Sequence, residues 1–305
     1  MWLPFIILFA ALPGGRTPPP LGLDLYRPMP EENALTPEKV ALGRRLFFDK
    51  QLSRNGTVAC ATCHDPKQAF ADGRKVAVGI GGQKGSRNVP TLVNRVYGKS
   101  FFLDGRSPTL EEQAIEPILN PIEMGLTLAE IPMRTGLEPQ PVMDAIASYV
   151  RTILDGGSPY DRYINGNTTA LSAEQSLGLA VFRGKGRCIS CHAGPNLTDE
   201  QFHNTGVAWR DGALQDAGRF EVSGKPGDHG AFKVPTLREV ARTAPYMHDG
   251  SLATLKDVVD YYNRGGNQNP WLDSGLRPLH LSSREKRALV AFLKSLSGSI
   301  QEGHF

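Results

Sequence analysis

The sequence predicts a mainly α-helical chain of two similar modules joined by long loops, and three observations predict it. The run Cys60-Ala61-Thr62-Cys63-His64 recurs in the second half as Cys188-Ile189-Ser190-Cys191-His192. A helix with a recognisable cap leads into each copy. Finally, 33 Gly and 23 Pro in 305 residues divide the chain into short elements with little sheet.

Two thiols three positions apart, followed at once by an imidazole, suit covalent capture of haem. The sulfurs bond the porphyrin vinyl groups and the histidine reaches the iron. These motifs use all four cysteines, leaving none for a disulfide. A thioredoxin-like pair needs one CxxC in a βαβ setting, and a four-cysteine zinc site wants its pairs about 15–20 residues apart. Neither explains a histidine after both pairs. Two haem c groups are therefore expected at Cys60, Cys63, His64 and at Cys188, Cys191, His192. The modules become cytochrome c-like domains with haems at and around their interface. A formal charge of +3 is small, four propionates would turn it negative, and nothing points to nucleic acid.

Residues 1–32 read as a signal or anchor segment and an arm. Trp2 to Leu12 is an apolar run too short to span a bilayer comfortably. No Lys or Arg precedes it and no clean small-residue cleavage site follows, so a cleaved signal and an uncleaved anchor both stay open. Either implies export to the periplasm, with no stable membrane insertion expected after processing. Arg16 to Glu32 is Pro-rich and reads as an extended arm.

Residues 33–160 form the first module. Thr36 and Pro37 fit the N-cap and first helical position, and Val40, Gly43, Leu46 and Phe47 mark an inward stripe. Ile146, Tyr149, Val150 and Ile153 form a second buried face, ended by Asp155-Gly156-Gly157-Ser158-Pro159. The second module, 161–305, begins near a polar linker, Asn165 to Thr169. Ser172 with Gln175 makes a capping box before Gly178, Val181 and Phe182, at offsets matching the first module. Ser282 with Glu285 makes another before Leu289, Phe292, Leu293 and Leu296, and Gly298 is expected to stop that helix.

The sixth ligand of each iron decides the chemistry, because an open haem activates and a closed one passes electrons. No histidine lies between His64 and His192. Met124, Met133, Met143 or a lysine could ligate the first iron, but methionines commonly fill core gaps, so this iron is expected to be open. The second has His203, His229, His248, Met247, Tyr261 and Tyr262 within reach of the sequence. A helix capped by Ser251 would align Leu255, Val258, Val259 and Tyr262, with Tyr261 beside Thr254 and Asp257 on a polar face. Tyr262 is thus expected to point inward, as an iron ligand or as a hydrogen-bonded core residue.

The ordered motifs Arg87-Asn88-Val89-Pro90-Thr91, Asp104-Gly105-Arg106 leading to Leu110-Glu111-Glu112-Gln113-Ala114, Pro121-Ile122-Glu123-Met124, Asn204-Thr205-Gly206 and Thr243-Ala244-Pro245-Tyr246-Met247-His248-Asp249-Gly250 accompany the two CxxCH runs. From about Leu35 to Gly298 the chain resembles the bacterial dihaem cytochrome c peroxidase and MauG family, and is similar in kind to its MauG/MbnH branch. The resemblance implies that Gln113 and Glu123 form the distal pair over the open haem, with Glu123 handling peroxide protons. It implies calcium between the haems, held by Asn88 and the carbonyls of Thr243 and Pro245. It also implies Tyr262 on the second iron, where peroxidases of the family usually supply methionine.

Two departures stand out. Family members usually carry tryptophan directly before the Asp-Gly-Arg run, where this chain has Leu103, and MauG has one two residues before its second CxxCH, where this chain has Gly186. Tyr97, Phe102, Trp209 and Trp271 are available to relay oxidising equivalents but are expected to pack. The resemblance implies an enzyme that reacts with hydrogen peroxide to form high-valent, bis-Fe(IV)-type haems and oxidises tryptophan on a periplasmic partner protein. One alternative is a peroxidase that reduces peroxide to water with electrons from a small cytochrome or cupredoxin. Another is a dihaem electron carrier that is not an enzyme.

Overall fold

The computed structural model describes residues 17–303, so the apolar run Trp2 to Leu12 lies outside the described residues. The first half carries α1 (Pro37–Phe48), α2 (Cys60–Cys63), α3 (Leu110–Leu119), α4 (Glu130–Thr135) and α5 (Pro139–Arg151). Strand β1 (Leu154–Gly156) and α6 (Pro159–Ile164) lead out of it. The second half carries α7 (Ala173–Arg183), β2 (Phe202–His203), β3 (Trp209–Arg210), β4 (Ala213–Leu214), α8 (Phe220–Ser223), β5 (Phe232–Lys233), α9 (Leu255–Asn263), α10 (Ser283–Lys294) and β6 (Ser299–Gln301). The strands form three antiparallel pairs, β1 with β6, β2 with β5 and β3 with β4. The architecture is mainly α with long loops, as the sequence predicts.

The caps stand where the sequence puts them. Thr36 accepts from the Lys39 amide with Pro37 following, and Ser172 with Gln175 and Ser282 with Glu285 close reciprocal boxes. Helix α1 lies against α5, and α7 against α10. Both crossings depend on a glycine. A Cβ on Gly43 would stand 1.8 Å from the carbonyl oxygen of Ala145, and one on Gly178 would stand 2.0 Å from that of Ala288. The duplicated glycine lets each backbone pair touch, and two separate hydrophobic clusters form around the two crossings. One contains Phe47, Phe70, Ile118 and Tyr149; the other contains Phe182, Leu289, Phe292 and Leu296.

Gly298 does not end α10, whose cap is Ser295. Its role is close approach, since a Cβ there would stand 2.2 Å from the Gly156 carbonyl as β1 and β6 pair. The arm is tied down as it passes both halves. Tyr97 donates to the Asp24 carbonyl at 2.8 Å, and Arg238 donates to the Gly22 carbonyl at 3.0 Å.

Paired arginines join the halves. Arg87 grips Asp216 through two 2.8 Å bonds, and Arg95 grips Glu200 at 2.8 and 3.2 Å. Such forked, partly dry pairs fix orientation more than they add stability.

Beside this junction Asp155 is fully buried with no donor on either carboxylate oxygen. Burial, then the neighbouring Glu239 carboxylate, push its pKa up to about 8. Because the folded value is raised, this group's contribution is complete below the ordinary aspartate range and is lost as pH climbs towards 8. Thermal unfolding should therefore occur at progressively lower temperature from pH 5 to pH 8, and Asp155→Asn should flatten that slope. Melting curves across this range check both expectations.

Candidate haem and peroxide site

Each CxxCH run is one tight turn. In α2 the His64 amide donates to the Cys60 carbonyl at 2.9 Å, and the His192 amide donates to Cys188 at the same distance. The turn brings both sulfurs and the imidazole to one side of the backbone. Burial pushes the Cys60 thiol up to about 12 and Cys63 to about 11, while Cys188 rises to about 12 for the same first reason. The thiols stay neutral, unlike those of a thiolate metal site. Among the described residues the two cysteine pairs do not gather into one site; the single acid, histidine and cysteine cluster is Cys191, Asp199 and His203.

The histidines are set up as iron ligands should be. The Nδ1 atoms of His64 and His192 lie 3.0 Å from the carbonyls of Phe70 and Leu197. A carbonyl only accepts, so each Nδ1 carries the proton and each Nε2 keeps a free lone pair. Burial pushes His64 down to about 4 against the upward pull of the Phe70 and Pro90 carbonyls, and burial also lowers His192 below the ordinary histidine value. Both rings are thus neutral at pH 7, as metal ligation requires. This donor set fits covalent haem at both runs.

A repeated feature that sequence reading passed over holds these carbonyls in place. Val89-Pro90-Thr91 recurs as Val234-Pro235-Thr236. The Thr91 hydroxyl donates to the Ala69 carbonyl and the Thr236 hydroxyl to the Asn196 carbonyl, both at 2.6 Å. In each case the next residue, Phe70 or Leu197, is the histidine's partner.

Glu123 lies beside a cleft of about 280 Å³, which Arg106, Glu116, Pro117, Leu119 and Asn120 also line. Its charge acts on both Cys60 and Cys63, so it stands near the first haem-binding turn. Burial raises the Glu123 carboxyl above the usual range, opposed by Arg106 and by the Asn120 amide, which donates to it at 2.9 Å. Gly79 permits this position, since a Cβ there would stand 2.6 Å from the Glu123 Cα. Gln113 is half-buried on α3, one turn before Pro117 and two before Asn120, but does not line this cleft. Met124 is buried in the core and Met133 is 75% exposed.

Around the second turn two expectations need correcting. Tyr261 does not lie on a polar face, for it is 2% exposed. Its hydroxyl donates to the Thr205 carbonyl at 2.8 Å and accepts from the Asn267 amide at 3.2 Å. The loop after β2 and the loop after α9 cover that side as well. The cap of α9 is Thr254, in a box with Asp257, and not Ser251. Tyr262 is half-buried, but its phenol is desolvated and feels Cys188 and Cys191. Burial first, then Tyr261 and the two sulfurs, push its pKa well up. The other candidates have structural partners: His229 stacks between Phe220 and Trp271, and His203 pairs with Asp273 at 2.5 Å.

Asn88 meets the 243–250 loop across the two halves, its amide donating to the His248 carbonyl at 2.7 Å. Its side-chain NH2 donates to the Arg74 carbonyl at 2.8 Å, which leaves Oδ1 as an acceptor. The Ala244-Pro245 peptide in that loop is cis. At Gly186 a Cβ would stand 2.8 Å from the Val181 carbonyl, so the backbone there admits no larger residue without moving. Trp209 and Trp271 pack edge to face at 6.0 Å, Phe102 lies under the Arg106 guanidinium at 3.4 Å, and Tyr97 holds the arm.

Comparison with known proteins gives a consistent result. Residues 37–139 match the family model for di-haem cytochrome c peroxidase. The chain is 39% identical to the methylamine utilization protein MauG of Methylorubrum extorquens, over 88% of this chain and 81% of that protein. It is 34% identical to the cytochrome-c peroxidase IdrP2 of Denitromonas iodatirespirans, over 88% of this chain and 84% of that one. A crystal structure of a MauG-like protein associated with microbial copper homeostasis superposes with a TM-score of 0.82 at 33% identity, covering 94% and 95% of the two chains.

Proposed function

This chain belongs to the di-haem cytochrome c peroxidase and MauG family, a family of peroxide-dependent haem oxidoreductases, and from that premise we propose that it oxidises a tryptophan on an exported partner protein. The observation that carries the reading is the desolvated Tyr262 phenol within electrostatic reach of Cys188 and Cys191. A phenolate is a hard anionic donor that favours the more oxidised state of an iron, which a thioether does not. Burial keeps this phenol neutral until a cation takes the place of its proton.

When bound, the haems supply an iron that accepts peroxide and a second that holds an oxidising equivalent. Glu123 takes a proton from one peroxide oxygen and returns it to the other, with its carboxyl oriented by Asn120. Gln113, on the same helical face as Asn120, donates a hydrogen bond to the peroxide. Cys60, Cys63 and His64 would hold the first haem, and Cys188, Cys191, His192 and Tyr262 would hold the second. The chain works as two modules, 33–160 and 161–305, preceded by a signal or anchor segment and an arm at 1–32, in the periplasm. Asn88 Oδ1 and the carbonyls of Thr243 and Pro245 are all oxygen donors, which suits calcium.

The partner reading is tested by mass spectrometry of a secreted copper-binding or dehydrogenase candidate after treatment with the holoprotein and peroxide. A mass gain on a tryptophan peptide is expected. Tyr262→Met should lose that modification while still consuming peroxide; modification at an undiminished rate would remove Tyr262 from this role. The second reading, a peroxidase drawing electrons from a small cytochrome or cupredoxin, is favoured by the IdrP2 similarity. Rapid turnover with reduced cytochrome and an unmodified partner would establish it.

A further inference from the structure

With leucine at position 103, no indole stands before the Asp-Gly-Arg run. A different chain of contacts connects the two haem-binding turns. At the second turn, Cys191 Sγ lies 3.8 Å from His203 Nε2. His203 sits on β2 directly opposite Phe232 on β5, which puts the two Cβ atoms about 4.5–5.5 Å apart on one face. The Phe232 ring lies flat on the His248 imidazole, with centroids 3.8 Å apart and planes within 9°.

His248 then carries the path into the first half, its carbonyl accepting the Asn88 amide at 2.7 Å. The carbonyl of Arg87, covalently next to Asn88, accepts the Ala77 amide at 3.1 Å, and the carbonyl of the following residue, Val78, lies 3.9 Å from Cys63 Sγ. Every step is therefore a hydrogen bond or polar contact, a cross-strand pair, a ring stack or a covalent backbone link.

The stack is also held firmly. The Arg87 guanidinium lies 5.4 Å over Phe232 while its nitrogens grip Asp104 and Asp216. The turn after His248 presses on the first half, where a Cβ on Gly250 would stand 2.2 Å from the Lys75 carbonyl. Burial keeps the His248 ring uncharged.

We propose that the stacked Phe232 and His248 rings are the electronic contact through which the two haems exchange electrons. The proposal rests on both CxxCH runs carrying haem and is independent of what the partner is. Peroxide, the oxidant, takes two electrons and two protons to become two waters. One electron comes from the first haem centre. The other would leave the second haem, cross the stack and refill the first centre, which has passed two electrons to peroxide, so that each centre ends oxidised by one electron, with the two protons taken up from solvent. No bond in the protein forms or breaks.

The test is the rate at which one electron redistributes between the haems in half-reduced holoprotein after carbon monoxide is photolysed from the open haem. Phe232→Leu and His248→Leu should each slow this by an order of magnitude or more, with both midpoint potentials unchanged. Phe232→Tyr keeps the ring and should keep the rate, which separates loss of the stack from loss of packing. Leu103→Trp, added to His248→Leu, should restore part of the rate. An unchanged rate in folded Phe232→Leu overturns the proposal. Failure to modify any partner, with these rates as expected, overturns only the substrate reading.

Discussion

Replacing Glu123 with glutamine should slow peroxide consumption by on the order of a hundredfold or more, the usual weight of a positioned acid-base group. The substitution is close to isosteric, and the Asn120 amide that donates to Glu123 Oε1 at 2.9 Å can donate equally to a glutamine oxygen. The cleft and the core beneath it should therefore persist while the proton acceptor is lost. The pH profile adds a signature that a structural role would not give. Burial raises the Glu123 carboxyl above the usual range, and only its ionised form can take a proton from peroxide. The wild-type rate should thus fall as pH drops through that raised value, and the limb should vanish in Glu123→Gln. Stopped-flow peroxide consumption between pH 4 and 8 measures both. An unchanged rate with intact haem spectra would exclude Glu123 from proton transfer.

Much of this site is visible in the chain because its chemistry is local. A CxxCH run closes within one turn, so neighbours in sequence are neighbours in space, and both turns form with histidines poised for iron. The caps at Thr36, Ser172 and Ser282 are equally local. Gly43 and Gly178 were readable as members of inward stripes, though only the crossing partner explains why they lack a side chain.

What sequence reading missed depends on segments that return from far away. Helical periodicity assigned Tyr261 to water because Thr254 and Asp257 share its face, yet the loops carrying Thr205 and Asn267 come back over it. A single period describes one buried face and is blind to a second. The Phe232 and His248 stack has the same character, since residues sixteen apart meet only because the 243–250 loop returns over Phe232 on β5. The repeated Val-Pro-Thr was in plain view, but Val89 follows Cys60 by 29 residues and Val234 follows Cys188 by 46, so aligning the halves on their CxxCH runs leaves the two copies out of register.

Gly178→Ala should lower the melting temperature by several degrees, and Gly43→Ala should do likewise. Alanine is the better helix former by about 1 kcal/mol, so propensity alone would predict stabilisation in α7. Sterics outweigh it. A Cβ at 178 would stand 2.0 Å from the Ala288 carbonyl and 2.6 Å from the Phe292 Cβ, and the first of these is backbone that no rotamer change can move. The helices must part by an ångström or more, which forfeits a quarter to a half of the dispersion at each facing contact. Phe182 and Phe292, packed at 5.1 Å between centroids, lie at that seam. Overpacking of this kind typically costs about 1–3 kcal/mol, occasionally more, and each kilocalorie shifts melting by about 2–4 °C in a chain of roughly 150–250 residues, and somewhat less in one this long. Gly227→Ala is the control, because nothing lies within 4 Å of its added methyl; it should melt like the parent. The double substitution then reports on the architecture. The two glycines serve separate hydrophobic clusters, so their costs should add within about 0.5 kcal/mol. Calorimetry of the four holoproteins decides it: a single transition lowered by the sum of the two costs would mean that the halves unfold as one body, joined through Arg87, Arg95 and the β1 and β6 pair, whereas two transitions, each lowered only by its own substitution, would mean that they unfold separately.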